Sequence, residues 1–307
     1  MIGTLFAFRQ RNHAKHLHPT ERRHRMKLAL FKSLWGWTGN WSQCAQQVRQ
    51  MGGVGVEARM PAEAHAASSM VQSLKQEGLD YIAVVFTGGD VIPNQSWTVQ
   101  QHLDRLQGAL DNALLMQPRF LNLLAGNDRW PLAQQVDFFG RAQALADAAG
   151  VICSFETHRA SSLYSPWVTL ELIQKLPELR FTADISHWMV VCERLLNDPQ
   201  DDLRTFIDRV HHVQARVGYD QGPQVPHPAA PEYAREVAFH QSVWEAVWAS
   251  QRARGYEVTT LTPEFGPDGY THLLPFTKAP VADLWELNLY MAAAQRSQFT
   301  HWSRRQE

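Results

Sequence analysis

Cysteine is scarce in this 307-residue sequence: there are three, Cys44, Cys153 and Cys192. An odd number without CxxC spacing excludes a disulfide framework and a thiolate zinc site. It points to a reducing, cytoplasmic setting. An excess of one charge is also lacking, with 29 Lys plus Arg against 30 Asp plus Glu. Such a chain is not built to neutralise many phosphates, so nucleic acid is not an expected partner. No run reaches the ~18 consecutive apolar residues of a membrane span, so no membrane is expected either. GxSxG elbows, P-loops and HExxH motifs are all missing. "GWTGNWS", after the first strand candidate, lacks the glycine pattern of a dinucleotide turn. "GGVGVE" at 52–57 precedes a strand rather than following one, the wrong order for that fingerprint.

What is present begins with a core: 45% of residues are hydrophobic, ample for a large buried interior. The first residues differ from the rest. "IGTLFAF" precedes the basic, His-rich "RQRNHAKHLHPTERRHRMK", the reverse of a secretory signal. Residues 1–26 are read as an extension outside the fold, consistent with an upstream start codon. The histidine spacing there is too irregular for a metal tract. Residues 27–303 form the expected domain.

From Lys27 onward, short apolar runs alternate with segments of helical spacing. Strands are expected at 28–35, 53–58, 81–86, 119–126, 151–156, 180–184, 211–216 and 258–266. Helices are expected at 42–51, 62–77, 97–116, 131–149, 166–176, 199–209, 232–254 and 281–297. Ser165-Pro166 reads as a side-chain cap before a first-turn proline. Gly78 and Gly150 sit where a helix must stop. Most strand candidates are apolar on both faces, as buried parallel strands are. Eight β/α units in series imply an α/β fold, a single-domain (β/α)8 TIM barrel. One long irregular stretch, "VGYDQGPQVPHPAAPE" at 217–232, follows strand seven, where a barrel builds function.

In such a barrel the site lies at the C-terminal strand ends. Those ends carry Trp35 and Trp37, Glu57 and Arg59, Thr87 and Asp90, Asn122 and Asp128, Glu156 and His158, Asp184 and His187, then His212, Gln214 and Arg216, and finally Glu264. Each has an ordinary structural role open to it. Asp184 or Ser186 can cap the next helix, His187 can be a bonded core imidazole, and the tryptophans can fill the barrel. The set at one rim is what points to function. Carboxylates packed in a partly dry cavity repel one another and shift their pKa unless a cation joins them. A divalent metal answers this, and an oxygen-rich donor set suits hard ions such as Mn²⁺ or Mg²⁺. His212 and Gln214 are two apart and face one side of their strand, so either can be a fourth ligand. Cys153, inside a strand, reads as packing.

The segments "FETHR", "TADISHW", "HHVQARVGYDQGPQVP" and "TPEFGP" occur in that order on strands five to eight. Together they resemble the xylose isomerase-like TIM barrels, the group of sugar and sugar-phosphate isomerases and epimerases, over roughly residues 27–300. The resemblance implies a divalent metal, Mn²⁺ first and Mg²⁺, Co²⁺ or Zn²⁺ otherwise, held by Glu156, Asp184, Gln214 and Glu264. The ketose 3-epimerases of this group usually carry His-x-His on strand seven. Here the pair reads His212-Val213-Gln214, so a neutral glutamine stands where a histidine ligand is expected. Glu156 and Glu264 are implied as the groups that take and return a proton, with His187 beside them. The substrate-binding set is His158, His187, Arg216, Trp35, Trp37, Glu57, Asn122 and His212. The implied partner is a small carbohydrate, and a homo-oligomer is usual for the group. The alternative is a metal-dependent lyase cleaving 3-keto-glycosides by elimination. An endonuclease IV-like phosphodiesterase or a non-catalytic sugar-binding barrel fits less well. The former needs more histidines at several strand ends, and the latter would tolerate loss of Glu156 or Glu264.

Overall fold

The computed structural model describes residues 26–306. The expected N-terminal extension, apart from Met26, lies outside the described residues. Eight parallel strands close into one barrel in sequence order: β1 (Lys27–Ser33), β2 (Gly55–Arg59), β3 (Asp80–Phe86), β4 (Leu121–Leu124), β5 (Cys153–Glu156), β6 (Phe181–Ala183), β7 (Val210–Gln214) and β8 (Val258–Thr262). β1 pairs with β8 to complete the ring. Helices cover the outside: α1 (Trp41–Gln50), α2 (Ala64–Glu77), α3 (Val99–Met116), α4 (Leu132–Ala149), α5 (Pro166–Lys175), α6 (Ser186–Cys192), α7 (Leu203–Ile207), α8 (Ala234–Ala253) and α9 (Leu284–Arg304). Among the described residues no helix is long and apolar enough to cross a membrane.

Local chemistry sets many of the element ends. Asn40 and Thr98 each accept from the backbone N–H three residues on, while Gln43 and Gln101 reach back, closing reciprocal caps on α1 and α3. Gly78 and Gly150 end α2 and α4 at φ of +66°, a left-handed position that costs glycine nothing. Pro166 opens α5 as expected, but Ser165 makes no side-chain cap there. Two helices differ from expectation. The 199–209 segment splits into a 3-10 turn at Pro199–Asp201 and the short α7. α6 follows β6 at once. Its seven residues span about two turns, too few for a helical period to show.

Packing makes two layers. A large apolar core lies between sheet and helices. A small cluster of Ala29, Phe31, Ile82 and Phe120, with Val258 against it, fills the barrel interior. The His212 ring lies 5.3 Å from Phe120, so polar residues begin directly above this floor. Trp188 on α6 carries much of the outer packing. Its indole N–H donates to the Leu163 carbonyl at 3.0 Å, and its ring meets Phe206 at 4.7 Å. Trp188→Ala is expected to cost about 3–5 kcal/mol of unfolding free energy, read by urea denaturation. The exposed Trp167 on the same side is the control, with an effect of about 0.5 kcal/mol or less when replaced.

Candidate active site

Strand register brings the polar residues to one level. Ser33 pairs with Glu57, Asn122 with Ser154, Glu156 with Thr182 and Gln214 with Thr262. Side chains from non-adjacent strands then meet across the barrel, which shows that they point inward. The Asn122 amide N–H₂ donates to Glu57 at 2.8 Å and to Glu156 at 2.7 Å. His212 Nε2 lies 3.2 Å from Glu57 Oε2, and its Nδ1 lies 2.8 Å from Thr260 Oγ1. Gln214 Nε2 donates to Glu57 at 3.2 Å and to Glu264 at 3.0 Å.

Arg216 organises the other half of the cluster. Its guanidinium Nη2 bonds Asp184 Oδ2, its Nε donates to Ser186 Oγ at 3.2 Å, and Nη2 lies 3.8 Å from Glu264 Oε2. Nη2 also donates to His187 Nε2 at 2.9 Å. A guanidinium has no acceptor, so Nε2 of His187 is the accepting nitrogen and the ring's proton sits on Nδ1. His187 is therefore neutral, and its 3.4 Å approach to Asp184 is not an ion pair. Asp184 also shapes the chain: its Oδ1 accepts from the Ser186 hydroxyl at 2.5 Å and from the Ser186 backbone N–H at 3.2 Å.

An aromatic roof closes the cluster. Arg216 lies 5.6 Å from the Trp35 ring and 4.7 Å from the Tyr270 ring, and the two rings meet edge to face at 5.0 Å. Trp35 is fixed by a 2.7 Å bond from its indole N–H to Asp268. The His158 and His187 rings meet at 4.0 Å with their planes inclined by 51°, and the Tyr270 hydroxyl reaches His158 Nε2 at 3.5 Å. The 217–232 loop braces this roof. Gln224 holds both backbone groups of Gly266, at 2.9 and 3.3 Å, and His272 donates to the Gln224 carbonyl at 2.7 Å. Two surface cavities, of about 710 and 80 Å³, lie elsewhere and include no residue of the cluster.

Of the residues expected at the site, ten converge in this cluster and Trp35 roofs it. Trp37 does not join them. It stacks on the Lys32 ammonium at 4.6 Å, with Trp285 on the same cation at 5.1 Å. Tyr270 was not among the expected residues, although "GPDGY" places it just after β8. A turn followed by an aromatic residue beyond a barrel strand was the available signal.

Burial sets the protonation states. It raises the Glu156 carboxyl to about 8, helped by the charges of Asp184 and Glu57. Burial also raises Glu264 well above the usual range, with Arg216 opposing. It raises Asp184 as well, offset in part by Arg216 and Ser186. At Glu57 burial is outweighed by His212, which holds the carboxyl low. Burial depresses His158 to about 3 and His187 well below its ordinary value, and nearby Arg216 adds to both. It likewise depresses His211 to about 3 and His102 and His240 to about 4.

These shifts act in opposite directions on stability. A depressed imidazole stabilises above its unfolded value of ~6.5 and loses that contribution as pH falls. A raised carboxyl stabilises below ~4.5 and loses its contribution as pH rises toward its folded value. Between ~4.5 and ~6.5 the depressed imidazoles outnumber the raised carboxyls, so stability climbs with pH. Above ~6.5 only the carboxyl effect remains and stability falls toward pH 8. Thermal melts across pH 4.5–8.5 should therefore show a maximum near pH 6.5. A curve still rising at pH 8 would contradict the protonated carboxyls.

Comparison with known proteins supports the architecture. No family model matches the sequence, and no curated protein matches it. Solved structures do. A xylose isomerase-like TIM barrel protein from Mycobacterium smegmatis, in complex with magnesium, aligns with a TM-score of 0.58 at 11% identity, over 90% of this chain and 99% of that one. What these structures share with this chain is the fold, a (β/α)8 TIM barrel. A D-allulose 3-epimerase from Methylomonas sp. aligns at 0.57 and 12% identity, over 90% and 98% of the two chains. A probable 3-DHS dehydratase from Bacillus anthracis, involved in petrobactin synthesis, aligns at 0.57 and 14%, over 88% and 99%.

The expected metal cage does not form in this barrel. Glu156, Asp184, Gln214 and Glu264 reach the same rim. Among the described residues, however, no three His, Cys, Asp or Glu side chains come together as a metal-holding group. The physical reason is Arg216, whose guanidinium lies on Asp184 and beside Glu264. Gln214 turns its amide N–H₂, not its oxygen, toward Glu264. The residues as arranged do not fit a divalent ion.

Proposed function

We propose that this barrel is an isomerase or epimerase of a small polyhydroxylated carbonyl compound, a sugar in its keto or open form. The observation that carries this reading is a pair of buried carboxyl groups, Glu156 and Glu264, beside one fixed cation, with both carboxyls raised by burial. Proton transfer next to a carbonyl needs a base near the working pH, an acid, and a charge that stabilises the oxyanion. Four buried polar atoms of the same site have no partner among the described residues: Asn122 Oδ1, His187 Nδ1, Gln214 Oε1 and Arg216 Nη1. They offer two acceptors and two donors, the mixture that hydroxyl groups beside a carbonyl satisfy.

In this reading the ligand enters when Trp35 or Tyr270 moves. The Arg216 and His187 N–H groups receive the carbonyl oxygen. Ionised Glu156 takes the proton from the adjacent carbon, and the C–H electron pair moves onto the carbonyl to give an enediolate. Return of that proton to the neighbouring carbon, with the hydroxyl proton passing to the oxygen, completes isomerisation. Delivery from protonated Glu264 to the opposite face completes epimerisation. The name of one of the structures above, the D-allulose 3-epimerase, accords with this chemistry, on fold alone. The test is solvent-deuterium incorporation at the carbon beside the carbonyl in a panel of ketoses and their phosphates. Release of water or an aglycone without exchange would move the site to elimination chemistry, and no reaction at all would sink the proposal.

A further inference from the structure

The rim gathers four buried carboxyl side chains, Glu57, Glu156, Asp184 and Glu264, inside one barrel mouth. So many acids in a dry site call for a cation. Glu57 has His212 at 3.2 Å. The other three face Arg216, which is only 2% exposed. Its guanidinium contacts Asp184, lies 3.8 Å from Glu264, and is covered by Trp35 and Tyr270 at 5.6 and 4.7 Å. A divalent ion bound to Asp184 and Glu264 would need oxygen ligands at about 2.0–2.6 Å. The guanidinium already fills that ground, and its like charge would repel the ion. Gln214 points the same way, because its amide N–H₂ spans Glu57 and Glu264 at 3.2 and 3.0 Å. A neutral donor between two acids serves a site without a metal, whereas a cage would need an acceptor there.

We infer that Arg216 is the resident cation of this barrel, standing in the place where a divalent metal would balance the three acids. The guanidinium and a metal are then mutually exclusive. The assignment concerns charge balance alone and is tested by binding, so it stands or falls separately from the reaction proposed above.

The experiment uses the full chain after dialysis against EDTA. Elemental analysis of the protein before dialysis should find far less than one metal per chain. Mn²⁺, Mg²⁺ or Zn²⁺ added to the dialysed wild type should leave its melting temperature unchanged. Arg216→Ala empties the cation position but leaves the acids. In this variant Mn²⁺ at about a hundred times its Kd should raise the melting temperature by roughly 5 °C. Arg216→Met keeps the bulk of the side chain and repeats the test if the alanine variant does not fold. Gain of metal binding in either variant, with none in the wild type, supports the assignment. Stoichiometric metal in the wild type, or a comparable rise there, overturns it. So does the absence of any gain in the folded variants.

Discussion

Glu264→Gln and Glu156→Gln should each lower turnover by about 10²–10⁴-fold, and solvent-deuterium uptake with it, while melting temperature at pH 7 stays within about 1 °C of wild type. The second half of that expectation distinguishes proton-transfer groups from structural anchors. Both carboxyls are raised by burial, Glu156 to about 8, so the fold favours their neutral forms. Glutamine copies a protonated glutamate in size and in neutrality. At position 156 its carbonyl can still accept from Asn122, and at position 264 it can still accept from Gln214. What it cannot do is exchange a proton. In the wild type, kcat/KM should rise with pH up to about 8, as Glu156 ionises. A variant that loses activity only because it unfolds would show a lowered melting temperature. A variant that keeps full exchange would remove its carboxyl from the mechanism.

Asp184→Ala is expected to be among the most damaging single changes to stability, at about 3–5 kcal/mol. Asp184 is fully buried, and its carboxylate is the contact partner of the Arg216 guanidinium. Removing it leaves a buried cation whose nearest remaining acid is Glu264, at 3.8 Å. It also removes the acceptor that turns the chain from β6 into α6 through Ser186. The double variant Asp184→Ala/Arg216→Leu removes both charges and should recover much of the loss. Urea denaturation of the two singles and the double measures the coupling. If the double variant is as unstable as the sum of the singles, the pair is not the source of the cost.

Much of this molecule was legible from local pattern. Eight apolar runs alternating with helical segments led to the closed barrel, because strand and helix periods are properties of neighbouring residues. Gly78 and Gly150 marked helix ends because only backbone conformation matters there. The rim acids were legible as well, since position at a strand end is a one-dimensional property. α6 was not, because seven residues span about two turns, too few for a period to register. Trp35 and Trp37 looked alike in sequence, but the chain turned one over Arg216 and the other onto Lys32.

The sequence by itself determined the barrel, its order and which acids reach its mouth. Only the tertiary structure decided what balances them. Arg216 is a long side chain on the strand-seven side that reaches Asp184 beyond β6 and Glu264 beyond β8. Its choice of partner depends on which charges share a dry volume, and residues 184 and 264 are far apart in the chain. Desolvation then set the protonation of Glu156, Glu264, His158 and His187. Burial of a charge is a property of the closed barrel, and no local stretch of sequence contains it.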